Sequence, residues 1–297
     1  MSLSPNPPGT SAPPAARVIN GDPRQMKLLI TGASGRVGGG LAAALKGQVD
    51  MRLTGRGPGN VALDFLDPAT FGLALDGRDT VFLMRPPQIA SGRAFRPFLD
   101  AAEAAGVRRI VVLSVKGAES NPILPHHGVE REVMARGFDW TMLRPADFMQ
   151  NLETVHRGGL RRRSEISVPA GNGRSAFVDV VDVAAVAAKT LLEPGHSQRG
   201  YTLTGPEALS FHQIAQILSD VLGRPIRYRP PRVLRFIRDQ HSEGVPLGMA
   251  LVMTALYTVQ RLGRADGLTD DVLRLLGRPP SDFRGYAERT KAIWAEI

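Results

Sequence analysis

The chain of 297 residues contains no cysteine. That absence removes disulfides, iron–sulfur ligation and thiol nucleophiles, and leaves a reducing cytoplasmic compartment as the expectation. Long apolar runs are missing as well. The most apolar window, Val245 to Leu262, is interrupted by Pro246, Thr254, Tyr257, Thr258 and Gln260, so it falls short of a spanning helix and no membrane partner is expected. Residues 1–25 hold prolines and small polar residues but no apolar block; they offer neither a signal-peptide core nor a folding nucleus and read as a disordered Pro-rich extension. Lysine is scarce, five residues against 32 arginines, and the net charge is +9. No nucleic-acid-binding module accompanies that charge, so an anionic, phosphate-bearing ligand is the simpler beneficiary and no nucleic-acid partner is expected. There is no Gly-x-Ser-x-Gly elbow, which leaves a serine hydrolase without support, and no internal repeat.

What is present begins at Met26-Lys-Leu-Leu-Ile-Thr-Gly-Ala-Ser-Gly-Arg-Val-Gly38. A short apolar strand runs into a glycine-punctuated turn and then into the Gly/Ala/Leu-rich helix Val37 to Leu45, the arrangement that binds a dinucleotide pyrophosphate. Gly32 permits the tight turn, Gly35 lets amides approach phosphate, and Gly38 permits close packing of the helix. Ser34, Arg36 and Val37 complete the turn, with the positive end of the helix aimed at the anion.

From Lys27 to Phe148 short apolar runs alternate with helical segments, the pattern of βαβ units and a parallel sheet. Strands are expected at Lys27 to Ile30, Met51 to Thr54, Thr80 to Met84, Arg109 to Leu113 and Trp140 to Leu143. Helices are expected at Ala94 to Ala105, closed by Gly106, and at Val129 to Ala135, closed by Gly137. The texture then changes. A basic loop, His156 to Arg163, precedes strand-like pieces at Glu165 to Val168 and Tyr201 to Thr204, with helices between them. The expected division is a dinucleotide-binding core over residues 26–152 and a smaller α+β substrate-side lobe over 153–297, some of whose elements return to the core. Asp179 and Asp182 read as helix-entry caps ahead of a helix ending near Leu192, and Ser210 as a cap ahead of Phe211 to Leu222. The apolar stretch Val245 to Leu262 is expected to pack against the core, with a lid over the cleft as the alternative.

The second strand ends in Gly55-Arg56, where an acidic residue would grip the ribose hydroxyls of NAD. Arg56 suits a 2′-phosphate instead, so NADP(H) is the preferred cofactor and NAD(H) the alternative. Arg36 is a candidate second contact; the bland reading of Arg56 is one solvated arginine among many. Asp64 is placed to meet an adenine edge and Phe65 to lie against the ring, with a surface loop as the competing reading. Met84, Arg85 and Pro86 end a strand at the sheet's carboxyl edge and form a candidate cofactor rim.

Several separated segments together resemble the NmrA-like branch of the atypical short-chain dehydrogenases/reductases: Thr31-Gly-Ala-Ser-Gly-Arg-Val-Gly38, Leu113-Ser-Val-Lys-Gly-Ala-Glu119, Pro125-His-His-Gly-Val-Glu130, Thr141-Met-Leu-Arg-Pro145 with Phe148 and Asn151, and Leu203-Thr-Gly-Pro-Glu-Ala-Leu209. The resemblance implies a doubly wound Rossmann core, NAD(P)(H) binding and a substrate cleft between core and C-terminal lobe. The Tyr-x-x-x-Lys pair of the wider family is absent, since Gly205, Arg232, Arg261 and Thr290 stand four positions after the four tyrosines. His127 occupies what looks like the equivalent place and is the candidate acid, with Ser114 and Lys116 as candidate donors at the rim and Ser114 also near the cofactor. Pro145 is expected at the nicotinamide end, with Phe148 and Asn151 facing the substrate; core packing is the alternative for Phe148. Metal binding by His126, His127 and Glu130 is not expected. The activity expected is hydride transfer from NAD(P)H to a small, largely apolar acceptor. The alternative is a non-catalytic redox-sensing regulator acting through a protein partner, and a homodimer is compatible with either.

Overall fold

The computed structural model describes residues 25–154 and 156–295. Its first half alternates strand and helix: β1 (Lys27–Ile30), α1 (Arg36–Leu45), β2 (Asp50–Leu53), α2 (Phe71–Leu75), β3 (Thr80–Met84), α3 (Arg96–Ala104), β4 (Arg109–Leu113), α4 (Pro125–Met134) and β5 (Asp139–Pro145). The second half holds α5 (Asn151–Thr154), α6 (Arg157–Arg163), β6 (Glu165–Ile166), β7 (Arg174–Ser175), α7 (Val180–Leu192), β8 (Arg199–Leu203), β9 (Leu209–Ser210), α8 (Phe211–Leu222), β10 (Arg227–Tyr228), α9 (Val233–Ser242), α10 (Leu247–Arg261), α11 (Asp271–Leu276), α12 (Phe283–Arg289) and α13 (Lys291–Ala295).

Six strands form one parallel sheet in the order β2-β1-β3-β4-β5-β8. The two-residue period of the strands divides their apolar side chains between two layers. Leu28, Ile30, Phe82, Val111 and Leu143 face Val37 and Leu41 of α1 and Val183, Val186 and Leu191 of α7. Leu29, Val81, Leu83, Ile110, Val112 and Met142 face Phe71 of α2, Phe98 and Leu99 of α3, and Val129 and Val133 of α4. This is a doubly wound α/β Rossmann core. The chain leaves β1 for β2 and returns across β1 to β3, so the strand order reverses there and opens a crevice at the carboxyl ends of those strands.

The C-terminal lobe has its own core around Ile166, Val168, Phe211, Ile214, Leu218, Phe236, Phe283 and Trp294. Ser210 caps α8 in a full capping box with Gln213, and Gly223 closes the helix at φ 66°. Asp179 caps α7 as expected, accepting from the Val181 amide. Asp182 does not cap: it is buried one turn on, where Arg278 Nη2 donates at 2.7 Å and the Ser281 amide at 2.6 Å, tying the C-terminal segment to the core.

Several expectations shift. The strand expected at Tyr201 to Thr204 is Arg199–Leu203, and it completes the main sheet beside β5 rather than serving the lobe. The helix expected from Ala94 starts as a tighter turn over Gly92–Phe95 and becomes α-helical at Arg96, because the Gly92 backbone crosses Gly128 of α4 so closely that a Cβ there would lie 2.1 Å from a carbonyl carbon. Within Val245 to Leu262 the structure forms α10, which packs one face, with Met253 and Tyr257, on the core of the C-terminal lobe and leaves the other exposed. Leu251, Val252, Leu256 and Val259 are exposed, and only Ala250 and Gln260 of the helix are buried. Its main packing partner is α9.

Candidate functional site

At the mouth of α1 the chain makes a turn that only small residues allow. Gly32 sits at φ +65°, a left-handed conformation costly for any residue with a Cβ, and Met84 from the end of β3 packs against it. The Thr31 hydroxyl donates to the Phe82 carbonyl and accepts from the Met84 amide, which locks the turn to β3. A Cβ on Gly38 would lie 2.5 Å from the Gly32 carbonyl oxygen. Gly38 therefore packs α1 onto the turn itself. Gly35 is the N-cap and supplies no side chain, and the amides of Arg36, Val37 and Gly38 find no acceptor among the described residues. Unpaired amides at the positive end of a helix form an anion-binding cradle.

The residues around this cradle divide into two groups. Arg56, past the end of β2, is exposed and pairs with no acid among the described residues. Ser34 lies against Gly55 beside it. Asp64 is exposed, with Oδ1 accepting from the Leu66 amide at 2.9 Å. Met84 and Pro86 are half-buried along the rim, and Phe148 and Asn151 follow β5, Phe148 half-buried and Asn151 exposed. Pro145 is buried and pairs with Leu203.

Other candidates are committed elsewhere. Phe65 is not presented to a ligand: it is buried with Phe95 and Phe98 at centroid distances of 4.8 and 4.9 Å. The Arg36 guanidinium is paired with buried Glu153, which also accepts from Tyr286 Oη at 2.7 Å, so its side chain bridges to α12 and only its amide remains for an anion. Arg85 folds back onto its own loop, with Nη1 donating to the carbonyls of Pro86 at 3.0 Å and Ile89 at 2.5 Å.

The three catalytic candidates each hold a partner within the chain. Ser114 is 2% exposed and its hydroxyl donates to Glu130, inward and away from any rim. Glu130 takes a two-pronged bond from Arg144, Nε at 3.0 Å and Nη2 at 2.7 Å, and burial of that pair is complete on the Glu130 side. Burial alone would lower the Arg144 pKa; the bonds and charge of Glu130 outweigh it and raise the value. Lys116 Nζ donates to the carbonyls of Ala265 and Gly267, clasping the loop after α10, and burial lowers its pKa. His127 Nδ1 lies 2.7 Å from the Ala118 carbonyl. A carbonyl only accepts, so Nδ1 carries a hydrogen and Nε2 lies outside that bond. Neighbouring His126 is held neutral, its pKa lowered to about 4 by burial and by the nearby Arg85 charge.

Sequence reasoning missed a group just past β5. Asp147 accepts the Ser175 hydroxyl on Oδ2, and its backbone carbonyl receives the Val178 amide at 2.8 Å. Burial raises its pKa against the smaller lowering effects of Ser175 and Lys116. Across from it, Tyr257 of α10 shares a hydrogen bond with His156 Nε2 at 3.0 Å. Burial raises the Tyr257 pKa, and the Asp147 charge adds to that effect. His156 stays neutral, its pKa lowered by burial to about 4. Tyr257 joins Phe211 and Phe236, both buried in the lobe's core, at ring distances of 6.0 and 5.6 Å. The local signal that could have found Asp147 is its position: an acidic residue two places beyond a strand's carboxyl end.

A family model described as the NmrA-like family matches residues 51–268. The NAD(P)H azoreductase of Xenophilus azovorans is 32% identical over 248 residues, covering 82% of this chain and 86% of its own. An NADPH-dependent quinone oxidoreductase from Escherichia coli, solved with NADPH, superposes with a TM-score of 0.78 at 23% identity, over 89% of this chain and 99% of its own. NmrA, a negative transcriptional regulator solved with NAD, superposes at 0.71 with 17% identity, over 91% of this chain and 96% of its own. These two likenesses are of fold.

Proposed function

This chain belongs to the NmrA-like family, and we propose that it is an NAD(P)H-dependent oxidoreductase delivering a hydride to a small, largely apolar acceptor such as a quinone, an enal or an imine. The observation that carries the reading is the cradle of unpaired amides at Arg36, Val37 and Gly38, backed by the Gly32–Gly38 contact. A bound nicotinamide dinucleotide would supply the hydride, and the chain's part is to hold, orient and exclude. In this reading Gly32, Ser34, Gly35 and the amides of α1 hold the pyrophosphate. Asp64 meets the adenine end, Met84 and Pro86 line the middle of the cleft, and Pro145, Phe148 and Asn151 border the nicotinamide end. The azoreductase relative supports a conjugated acceptor.

NADP(H) is the preferred form, because Arg56 stands exposed and unengaged at the end of β2. Replacing Arg56 with alanine is expected to weaken NADPH binding about tenfold or more, the scale of one charge-assisted hydrogen bond of ~1.5–3 kcal/mol, and to leave NADH affinity nearly unchanged. Titration calorimetry with both cofactors checks this; equal losses would remove Arg56 as the phosphate reader.

The experiment for the function itself follows NADPH absorbance with a panel of quinones, enals and imines. Turnover of one class is the expected result. Silence across the panel with NADPH tightly bound would instead favour the regulator that senses the cofactor and signals to a protein partner.

A further inference from the structure

The geometry points to Asp147 as the proton donor of this cleft, held by Ser175 and faced by Lys116 and Tyr257. This inference rests on the oxidoreductase reading above and names the acid that reading lacks.

Position is the first argument. The cradle lies at β1, and a dinucleotide running along the carboxyl edge of the sheet passes β3 and β4 before β5. Three strand spacings of about 4.8 Å carry it roughly 14 Å, to the edge where β5 ends and Asp147 begins. Attachment is the second. The Ser175 hydroxyl fixes Oδ2, the Val178 amide fixes the backbone, and Oδ1 makes no hydrogen bond with a described residue. One oxygen is therefore anchored and the other is free to meet a ligand. Setting is the third. The residue is only half-buried by its exposure, yet its carboxyl is packed deeply enough that desolvation raises its pKa. That combination describes the wall of a cleft.

The groups that face it are few. Lys116 approaches from the loop after β4, with Glu119 and Asp266 beside it, and its positive charge limits the rise in the Asp147 pKa. Ser175 comes from β7, and Tyr257 from α10 with neutral His156 behind it. Tyr257 is hydrogen-bonded to His156, and burial raises its pKa, which makes its hydroxyl a weaker acid than the Asp147 carboxyl.

The step balances as follows for a quinone. The acceptor gains a hydride and is reduced by two electrons while the dihydronicotinamide is oxidised. The Oδ1–H bond of Asp147 breaks as an O–H bond forms on the acceptor's developing oxyanion. A carboxylate remains on Asp147, stabilised by Ser175 and Lys116, and takes its next proton from solvent.

The test compares wild type with Asp147→Asn and Asp147→Glu, using NADPH and menadione. The Asn variant should bind NADPH unchanged by calorimetry, lose about a hundredfold in kcat, and lack the fall in kcat toward alkaline pH expected of wild type. The Glu variant should recover part of the rate and the pH dependence. A second readout needs no turnover. A carboxyl whose pKa is raised in the folded state destabilises the protein as pH rises through its unfolded value toward its folded one. The melting temperature of Asp147→Asn relative to wild type should therefore climb as the pH rises above about 4, the unfolded value. An unchanged pH–rate profile in Asp147→Asn, with wild type active, or a melting difference flat in pH would overturn the proposal. Wild type that binds NADPH and reduces no acceptor would overturn the oxidoreductase reading, and the donor role with it.

Discussion

A valine at position 38 should abolish cofactor binding while leaving the sheet folded. The Cβ of any residue there would sit 2.5 Å from the Gly32 carbonyl oxygen, 2.9 Å from its carbon and 3.0 Å from Ala33 Cα, all backbone atoms that cannot swing aside. Relief requires α1 to move away from the turn or the turn to open. Gly32 is pinned on the other side by Met84, and Thr31 is hydrogen-bonded to β3 at both of its hydroxyl contacts, so the helix must give. Its first amides then leave the cradle. A shift of about 1 Å is enough to spoil charge-assisted hydrogen bonds, and losing two of them costs about 3 kcal/mol or more, a hundredfold or greater loss of affinity. Overpacking also lowers stability, by ~1–3 kcal/mol. Calorimetry with NADPH and circular dichroism separate the two effects: native far-ultraviolet signal with no binding heat is the expected result. Retained affinity in a folded Gly38→Val protein would mean that the anion sits elsewhere.

The legible parts of this molecule are the local ones. The core strands Thr80–Met84 and Arg109–Leu113 coincide with continuous apolar runs because their sites are buried on both faces of a parallel sheet. The glycine turn is legible for a related reason, since strand, turn and helix occupy adjacent residues. Arg199–Leu203 was harder to place. It is an edge strand whose first two residues are exposed, so nothing in its composition ties it to β5 rather than to the lobe. α10 misled in the opposite direction: apolar composition implies burial, yet Leu251, Leu256 and Val259 face outward.

The site divides along the same line. Arg56 is read from its position at a strand end, and its exposed side chain agrees with that reading. What Ser114, Lys116 and Arg36 do depends on partners 16 to 151 residues away, which no local pattern announces. Pro145, Phe148 and Asn151 are singled out by the sequence and Asp147 between them is not, because its setting comes from Ser175, 28 residues on, and from the burial of its carboxyl. The general lesson is physical. Spacing reports which face a side chain takes, while tertiary contact decides whether its polar atoms are spent inside the protein or left for a ligand.

Replacing Arg144 with methionine should be among the most destabilising single changes in the core. Glu130 is 1% exposed and accepts three hydrogen bonds, two from Arg144 and one from Ser114. Methionine fills much of the volume but removes the charge, leaving a buried carboxylate with only a hydroxyl for company. Breaking a buried pair in this way costs about 3–5 kcal/mol, because the remaining charge stays desolvated without compensation. For a domain of this size that corresponds to a fall of roughly 10 °C in melting temperature. Ser114→Ala removes one of the three bonds and keeps the charge pair, so its cost should be smaller, about 1.5–3 kcal/mol. The sharper check is the double variant. Glu130→Met with Arg144→Met removes both charges, and most of the stability lost in Arg144→Met should return, although Ser114 then loses its acceptor. Thermal unfolding of the singles and the double gives the coupling directly. If Arg144→Met and the double variant melt together, the Arg144–Glu130 pair contributes little to stability.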